Sequence, residues 1–321
     1  MTSGAAGEAA PSSDGEAAPS SDGGSPVVVG SASRDLAASD PRGWRLGGAV
    51  AYAGLALARL GLRPRVLMGA DPSATTADEL ELLRDAGAEL RPVPLTRGPV
   101  FDNREVGGVR AQHCLEPGDP LPVAALPGEW RGAADWLFGP VAGELADEWG
   151  SVPAPSARVA LGWQGLLRDL PRGGPAARRP PGRSRLLDRA DLVVVSRLDL
   201  EPGTDVGMLG ALLRPGTTLV VTDGEAGGEV WLADGSRARL VRRYRAIPAP
   251  TLVDATGAGD AFMAGLVAAR LGHPRAPADR PEADLRLAAA MGSLTVEGNG
   301  VLGVPTMAAV AERLRASVRP G

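Results

Sequence analysis

The chain has 321 residues, with 34 Lys+Arg against 38 Asp+Glu and a formal net charge of −4. That length suits one large α/β domain or two ordinary ones, and the charge excludes bulk electrostatic binding to nucleic acid or an anionic membrane. Every basic side chain apart from two histidines is arginine, so a Walker-A loop, a protein-kinase strand lysine and Schiff-base chemistry are all excluded. The single Cys114 rules out an internal disulfide or multi-cysteine metal centre, and His113 and His273 cannot build a zincin.

Residues 1–24 carry a tandem octad, GEAAPSSD at 7–14 and again at 15–22. It is polar and acidic, which predicts a disordered leader before a folded domain over 25–321. It lacks the basic start and apolar stretch of a signal peptide, and no later run is long enough to cross a bilayer. The expected location is cytoplasmic.

Val27–Val29 ending at Gly30 reads as a buried strand. Gly47-Gly48 precedes an Ala/Leu-rich helix to Leu60, and 65–68 reads as a second strand. Thr76-Ala77-Asp78-Glu79 has the form of a capping box opening a helix that ends near Gly87. Strand-like runs recur at 135–139, 157–162, 191–196 and 217–222, with helices at about 260–271, 284–297 and 306–317. The alternation predicts a mostly parallel sheet covered on both faces. Two segments break the rhythm. Residues 97–116 look like a polar hairpin over a site, and 171–184 (PRGGPAARRPPGRS) reads as a loop that cannot be a strand or helix interior.

The chemistry concentrates in Asp254-Ala255-Thr256-Gly257-Ala258-Gly259-Asp260 before an apolar helix. A helix start exposes unpaired N–H groups, and glycines admit a phosphate close to the backbone. The amides of Ala258, Gly259 and Asp260 suit an anion without any lysine. Asp260 itself either caps the helix or takes a proton from a hydroxyl that attacks a phosphoryl group.

The string D-x-T-G-A-G-D-x-F closely resembles the second signature of the ribokinase-like, PfkB-type sugar kinases. Gly47-Gly48 resembles that family's first glycine signature. Val220–Gly224 with Gly227-Gly228 resembles its strand and turn beside the nucleotide, and Ala288–Gly300 its C-terminal nucleotide-binding stretch. The resemblance spans roughly residues 26–318. It implies a three-layer α/β/α sandwich with a mostly parallel central sheet and a small β lid, near 31–46 and 97–116. Only 16 residues separate Gly30 from Gly47, so the lid is expected to be reduced and a homodimer through it is left open.

By the same resemblance, Asp260 matches the catalytic base and Gly257, Ala258 and Gly259 the anion hole. Asp35 matches the acidic residue on substrate hydroxyls, joined by Ser33, Gly47 and Gly48. Ser196, Thr222, Gly224, Gly227, Thr256, Ser293 and Glu297 fall on the nucleotide side. Asp254 with Thr256 flanks a monovalent-cation site of the K⁺ type, and Asp199 stands where an acid orients waters on Mg²⁺. The chain departs from the family at Ser196-Arg197-Leu198-Asp199, in place of N-x-x-E, and at Tyr52, in place of an Asn.

Phe101-x-Asn103 with Gly108-x-Arg110-x-Gln112, and Gln164-Gly165-x-x-Arg168, resemble a branch that includes myo-inositol kinases. Asn103, Gln112 and Gln164 supply the neutral donors and acceptors a polyol needs. Glu144, at a strand end, is a further candidate for a hydroxyl. Arg104 and Arg110 are candidates to close over phosphates or are plain surface charges. His113 and Cys114 lack a third partner and read as structural. The expected activity is ATP- and Mg²⁺-dependent phosphorylation of a small polyol, a sugar or a cyclitol such as an inositol. The rivals are a nucleoside kinase, with Trp44, Tyr52 or Trp163 forming a slot for the base, and a ligand sensor on the same scaffold. A phosphomethylpyrimidine-type kinase is disfavoured because the anion loop has no cysteine.

Overall fold

Val27, Val28 and Val29 are all fully buried, and they alternate between two separate cores. Leu192–Val195 and Leu219–Val221 alternate in the same way. A strand presents successive side chains to opposite faces, so short apolar runs without polar interruption dictate a sheet covered on both sides.

The computed structural model describes residue 1 and residues 25–106, 109–272 and 281–317; the tandem octad lies outside the described residues. In chain order come β1 (Val27–Ser31), β2 (Ser33–Leu36), β3 (Trp44–Gly47), α1 (Ala49–Arg59), β4 (Arg65–Ala70), α2 (Glu79–Asp85) and β5 (Glu89–Pro94). The hairpin β6 (Val100–Val106) and β7 (Val109–Glu116) follows, then β8 (Asp135–Phe138), β9 (Arg158–Gly162) and three two-residue strands, β10 (Arg168–Asp169), β11 (Gly174–Pro175) and β12 (Ala177–Arg178). The C-terminal half adds α3 (Arg185–Arg189), β13 (Leu192–Ser196), α4 (Val206–Leu209), β14 (Thr218–Thr222), β15 (Gly228–Ala233) and β16 (Ala238–Tyr244). Three helices close it: α5 (Ala258–Gly272), α6 (Pro281–Thr295) and α7 (Met307–Ala316).

The main sheet has the order β16-β15-β14-β13-β9-β8-β1-β4-β5. It is parallel from β14 to β5, with β15 and β16 antiparallel at one edge. One face is covered by α1, α5 and α6, rich in small residues that let the helices approach closely. The other is covered by the short helices α3 and α4, by turns, and by Trp130, Trp136, Trp149 and Trp163, all buried. Large rings fill there what long helices fill on the first face. These layers form the α/β/α sandwich expected from the sequence.

A second sheet, β11-β7-β6-β2-β3, stands beside the carboxyl ends of the parallel strands. The interval after Gly30 does hold two strands, each four residues long, and the hairpin β6–β7 extends them. Residues 171–184 depart from the loop expectation. Gly174–Pro175 pairs with Cys114 and His113, and Ala177–Arg178 pairs with β10. Pro175 is tolerated because β11 is an edge strand.

The capping box before α2 does not form. Thr76 Oγ1 donates to Ser73 O, and Glu79 instead accepts both Arg42 Nη groups at 2.8 and 2.7 Å. The cap of α7 does form, with Thr306 Oγ1 accepting from Ala309 N. Among the described residues no helix is long and apolar enough to cross a membrane.

Candidate active site

The parallel strands end together at Ser31, Phe138, Gly162, Ser196 and Thr222, the edge where open α/β sheets bind ligands. Four groups of residues are placed by the elements at or beside that edge.

The first is the start of α5. Gly257 has φ +79°, and a Cβ on it would lie 2.0 Å from Cδ1 of the Tyr52 ring. Only glycine fits, for backbone and packing reasons alike. A Cβ on Gly259 would meet nothing within 4 Å, so that glycine borders open space suited to an incoming group. Asp260 sits in the first turn and is part-buried. Burial pushes its carboxyl up to about 7, the nearby Arg168 charge opposes that, and Asp199 adds to it. Its carboxylate accepts no hydrogen bond among the described residues, unlike an ordinary capping aspartate. Asp254 accepts backbone N–H groups from Thr256 at 2.9 Å and Gly300 at 3.2 Å, which ties the loop to the C-terminal stretch.

The second group is on the small sheet. Ser33 Oγ donates to Asp35 Oδ1 at 2.9 Å. A Cβ on Gly47 would fall 2.6 Å from both Asp35 Oδ2 and Ser33 Oγ, and Gly48 has φ +94°. The two glycines therefore let Ser33 and Asp35 pack onto the head of α1. Tyr52, four residues beyond Gly48 and about 6 Å along the helix axis, carries Gly257. One helical turn thus mounts both the Ser33–Asp35 pair and the anion loop.

The third group is a chain of polar contacts. Gln112 Nε2 donates to Asn103 Oδ1 at 2.8 Å, and Arg168 Nη1 donates to Gln112 Oε1 at 2.9 Å. Arg168 Nη2 and Gln164 Nε2 both donate to Asp199 Oδ1 at 3.1 Å. Asp199 is therefore occupied by a guanidinium and an amide. Among the described residues no three His, Cys, Asp or Glu side chains gather to hold a metal. The described residues thus offer no cluster of three such ligands for a Mg²⁺, and Asp254 holds one backbone N–H on each carboxylate oxygen.

The fourth group lies at the end of β14 and on α6. Thr222 and Gly224 lie at the open strand edge, while Gly227 is buried beneath the backbone of Tyr244. Ser196 Oγ accepts from Leu198 N. Ser293 and Glu297 are bound by Arg313, which donates to Ser293 Oγ at 2.7 Å and to both Glu297 oxygens at 2.8 and 2.9 Å.

Several sequence expectations change. Glu144 turns inward, 3% exposed, and accepts backbone N–H groups from Ser31, Val141 and Ala142 at 2.8–3.2 Å. It holds a loop and offers no oxygen to a hydroxyl. Tyr52 and Trp163, each 1% exposed, are core residues, and Trp44 is flanked by the guanidinium groups of Arg34 and Arg42. No open aromatic slot for a base results from these three rings. Cys114 is buried and its thiol is pushed up to about 11, which leaves it inert. The side chains of Arg104 and Arg110 lie outside the described residues. Arg168 and Arg313 hold these groups without being among the site residues expected from the sequence. The Gln164–Arg168 spacing was the available signal for the first; nothing local marks the second.

Residues 184–307 match the family model described as pfkB family carbohydrate kinase. No curated protein matches the chain in sequence. Among solved structures, a pyrophosphate-dependent kinase in the ribokinase family, complexed with a pyrophosphate analog and myo-inositol, superposes with a TM-score of 0.67 at 18% identity, covering 90% of this chain and 99% of that one. Arabidopsis thaliana ribokinase, complexed with ribose and ATP, gives 0.63 at 19%, covering 91% and 99%. Burkholderia thailandensis nucleoside kinase in complex with inosine gives 0.65 at 17%, covering 91% and 98%. The chain has the ribokinase fold, and its residues 184–307 match the pfkB family of carbohydrate kinases.

Proposed function

We propose that this protein transfers a phosphoryl group from ATP to a hydroxyl of a small polyol, a sugar or a cyclitol such as an inositol. The observation that carries the reading is the shared mount on α1. Gly47-Gly48 supports Ser33 and Asp35, and Tyr52 supports the loop that ends in Asp260. Ser33 and Asp35 bind one part of a small polyol while Asp260 faces the reacting hydroxyl.

In this mechanism Asp260 accepts the hydroxyl proton. A carboxyl near 7 is a stronger base than an ordinary aspartate and is still half ionised at neutral pH. The oxygen attacks the terminal phosphorus of ATP, the bond from that phosphorus to the bridging oxygen breaks with ADP as leaving group, and the amides of Ala258, Gly259 and Asp260 stabilise the charge on the phosphoryl in flight. Such preorganised donors contribute about 10²–10³ each in rate. The open space above Gly259 receives the phosphoryl group. The β6–β7 hairpin excludes water, and Asn103, Gln112 and Gln164 provide neutral groups for further hydroxyls. No step of this mechanism depends on a protein-held ion.

A second reading concerns the donor. Ser293 and Glu297, expected on the nucleotide side, are held by Arg313, and pyrophosphate has no base or ribose to place there. One of the superposing structures is a pyrophosphate-dependent kinase. Product formation from a polyol panel with ATP and, separately, with pyrophosphate distinguishes the two. Transfer from ATP supports the first reading, transfer from pyrophosphate alone supports the second, and transfer from neither to any polyol refutes both.

A further inference from the structure

Arg168 lies on β10, in the strap that precedes α3 between β9 and β13, and its planar fork spans two bodies of the molecule. Nη1 reaches Gln112 on β7 of the small sheet; Nη2 reaches Asp199 in the turn that follows β13 of the main sheet. We propose that Arg168 is a positioning residue that latches the small sheet over the reaction site, joining Gln112 to Asp199 through one guanidinium. The proposal rests on the phosphotransfer reading given above for what the latch encloses.

Three features support it. The Gln112 amide is fixed at both ends. A guanidinium only donates, so Oε1 must face Arg168, which leaves Nε2 to face Asn103 on the neighbouring strand. The strap repeats the link through its backbone: Ala176 N donates to Gln112 O at 2.8 Å and Gly173 N to Cys114 O at 2.7 Å. Arg178 Nε, across from Arg168 on β12, donates to Leu198 O at 2.9 Å, one residue from Asp199. The strap therefore bridges the same two bodies at the side-chain and main-chain levels, and Arg168 is its part-buried centre, with 18% of the side chain exposed.

The residue type matters. The rigid guanidinium fork makes two directed contacts that a lysine ammonium cannot reproduce together. Two of its five N–H groups are engaged, and the charge lies close enough to oppose the upward shift of Asp260. Loss of the latch loosens β6 and β7 against the main body, so water competes with the acceptor for the phosphoryl group.

The test uses the full chain with Arg168→Ala and Arg168→Lys. Hydrogen exchange reads the latch without any turnover. In Arg168→Ala the amides of β6 and β7 should exchange about tenfold faster, as expected for loss of charge-assisted hydrogen bonds, while those of β1 and β4 stay unchanged. The second readout is the ratio of donor hydrolysed to donor transferred. It should rise severalfold in Arg168→Ala, less in Arg168→Lys, and fall back when guanidinium ion is added. A structural lesion that only reduces the amount of folded enzyme leaves that ratio unchanged. Unchanged exchange in β6 and β7, or exchange raised equally through the whole chain, overturns the latch. Wild-type protein that transfers to no acceptor overturns the functional reading alone, since the exchange result stands by itself.

Discussion

Tyr52 supports Gly257. The ring of Tyr52 lies where a side chain on Gly257 would have to be, with Cδ1 2.0 Å from the position of a Cβ. The first turn of α1 therefore sets the height of the loop that opens α5. The loop's shape is not decided by its own sequence alone.

Gly257 and Gly259 should respond oppositely to the same substitution. Gly257→Ala places a methyl in the Tyr52 ring at φ +79°, costs about 1 kcal/mol in backbone strain before the overlap is counted, and should lower both melting temperature and turnover. Gly259→Ala meets no atom within 4 Å and should leave stability equal or up to about 1 kcal/mol higher, from helix propensity. Its turnover should still fall, because the methyl occupies the space assigned to the phosphoryl group. Thermal melts beside initial rates check both.

Asp260→Asn should reduce turnover by about 10²–10⁴-fold while keeping donor binding measurable by calorimetry. In the wild type, kcat/KM should rise with pH and level off above about 7, where the carboxyl is ionised.

The same residue affects stability. Its folded value lies above the unfolded one near 3.8, so the folded state holds the proton more tightly. Stability is lost as pH rises from about 4 to 7, and the full cost remains above that window. Asp260→Asn should therefore melt higher than wild type at pH 8, by roughly 1–3 kcal/mol after allowance for partial exposure. The two proteins should converge near pH 4. Melting curves across that range test the sign.

Glu144→Ala should destabilise the fold by about 2 kcal/mol or more, because the buried N–H groups of Ser31, Val141 and Ala142 lose their acceptor. Denaturant unfolding measures it. The acceptor's KM in the surviving folded fraction should change little, since Glu144 is buried and its oxygens are taken by backbone N–H groups.

Arg313→Ala frees Ser293 and Glu297. With ATP as donor, its KM should move severalfold; with pyrophosphate it should not. Steady-state kinetics with each donor separates the two readings of that region.

Much of the architecture was legible because it follows from local patterns. Runs such as Val27–Val29 and Leu192–Val195 announce strands buried on both faces, and Gly257-Ala258-Gly259-Asp260 announces a helix start open to an anion. The remainder depends on contacts between distant residues. Glu79 fits a capping box locally, yet Arg42 lies close enough to claim it. Glu144 looks like an exposed strand end until the β1 backbone supplies it with a buried N–H. Pro175 is an impossible strand residue except at the edge that β7 provides. Arg168 reaches Gln112 and Asp199 only after two sheets have assembled, and no local spacing encodes that meeting.

The most direct test of the account is phosphoryl transfer itself, followed by phosphorus NMR of the product from a panel of cyclitols, hexoses, pentoses and nucleosides, with ATP and Mg²⁺ and with a blank lacking acceptor. The account predicts a phosphomonoester on a small polyol, formed by wild type and lost in Asp260→Asn. Product formed equally well by Asp260→Asn, or no product from any acceptor despite donor binding, would contradict it.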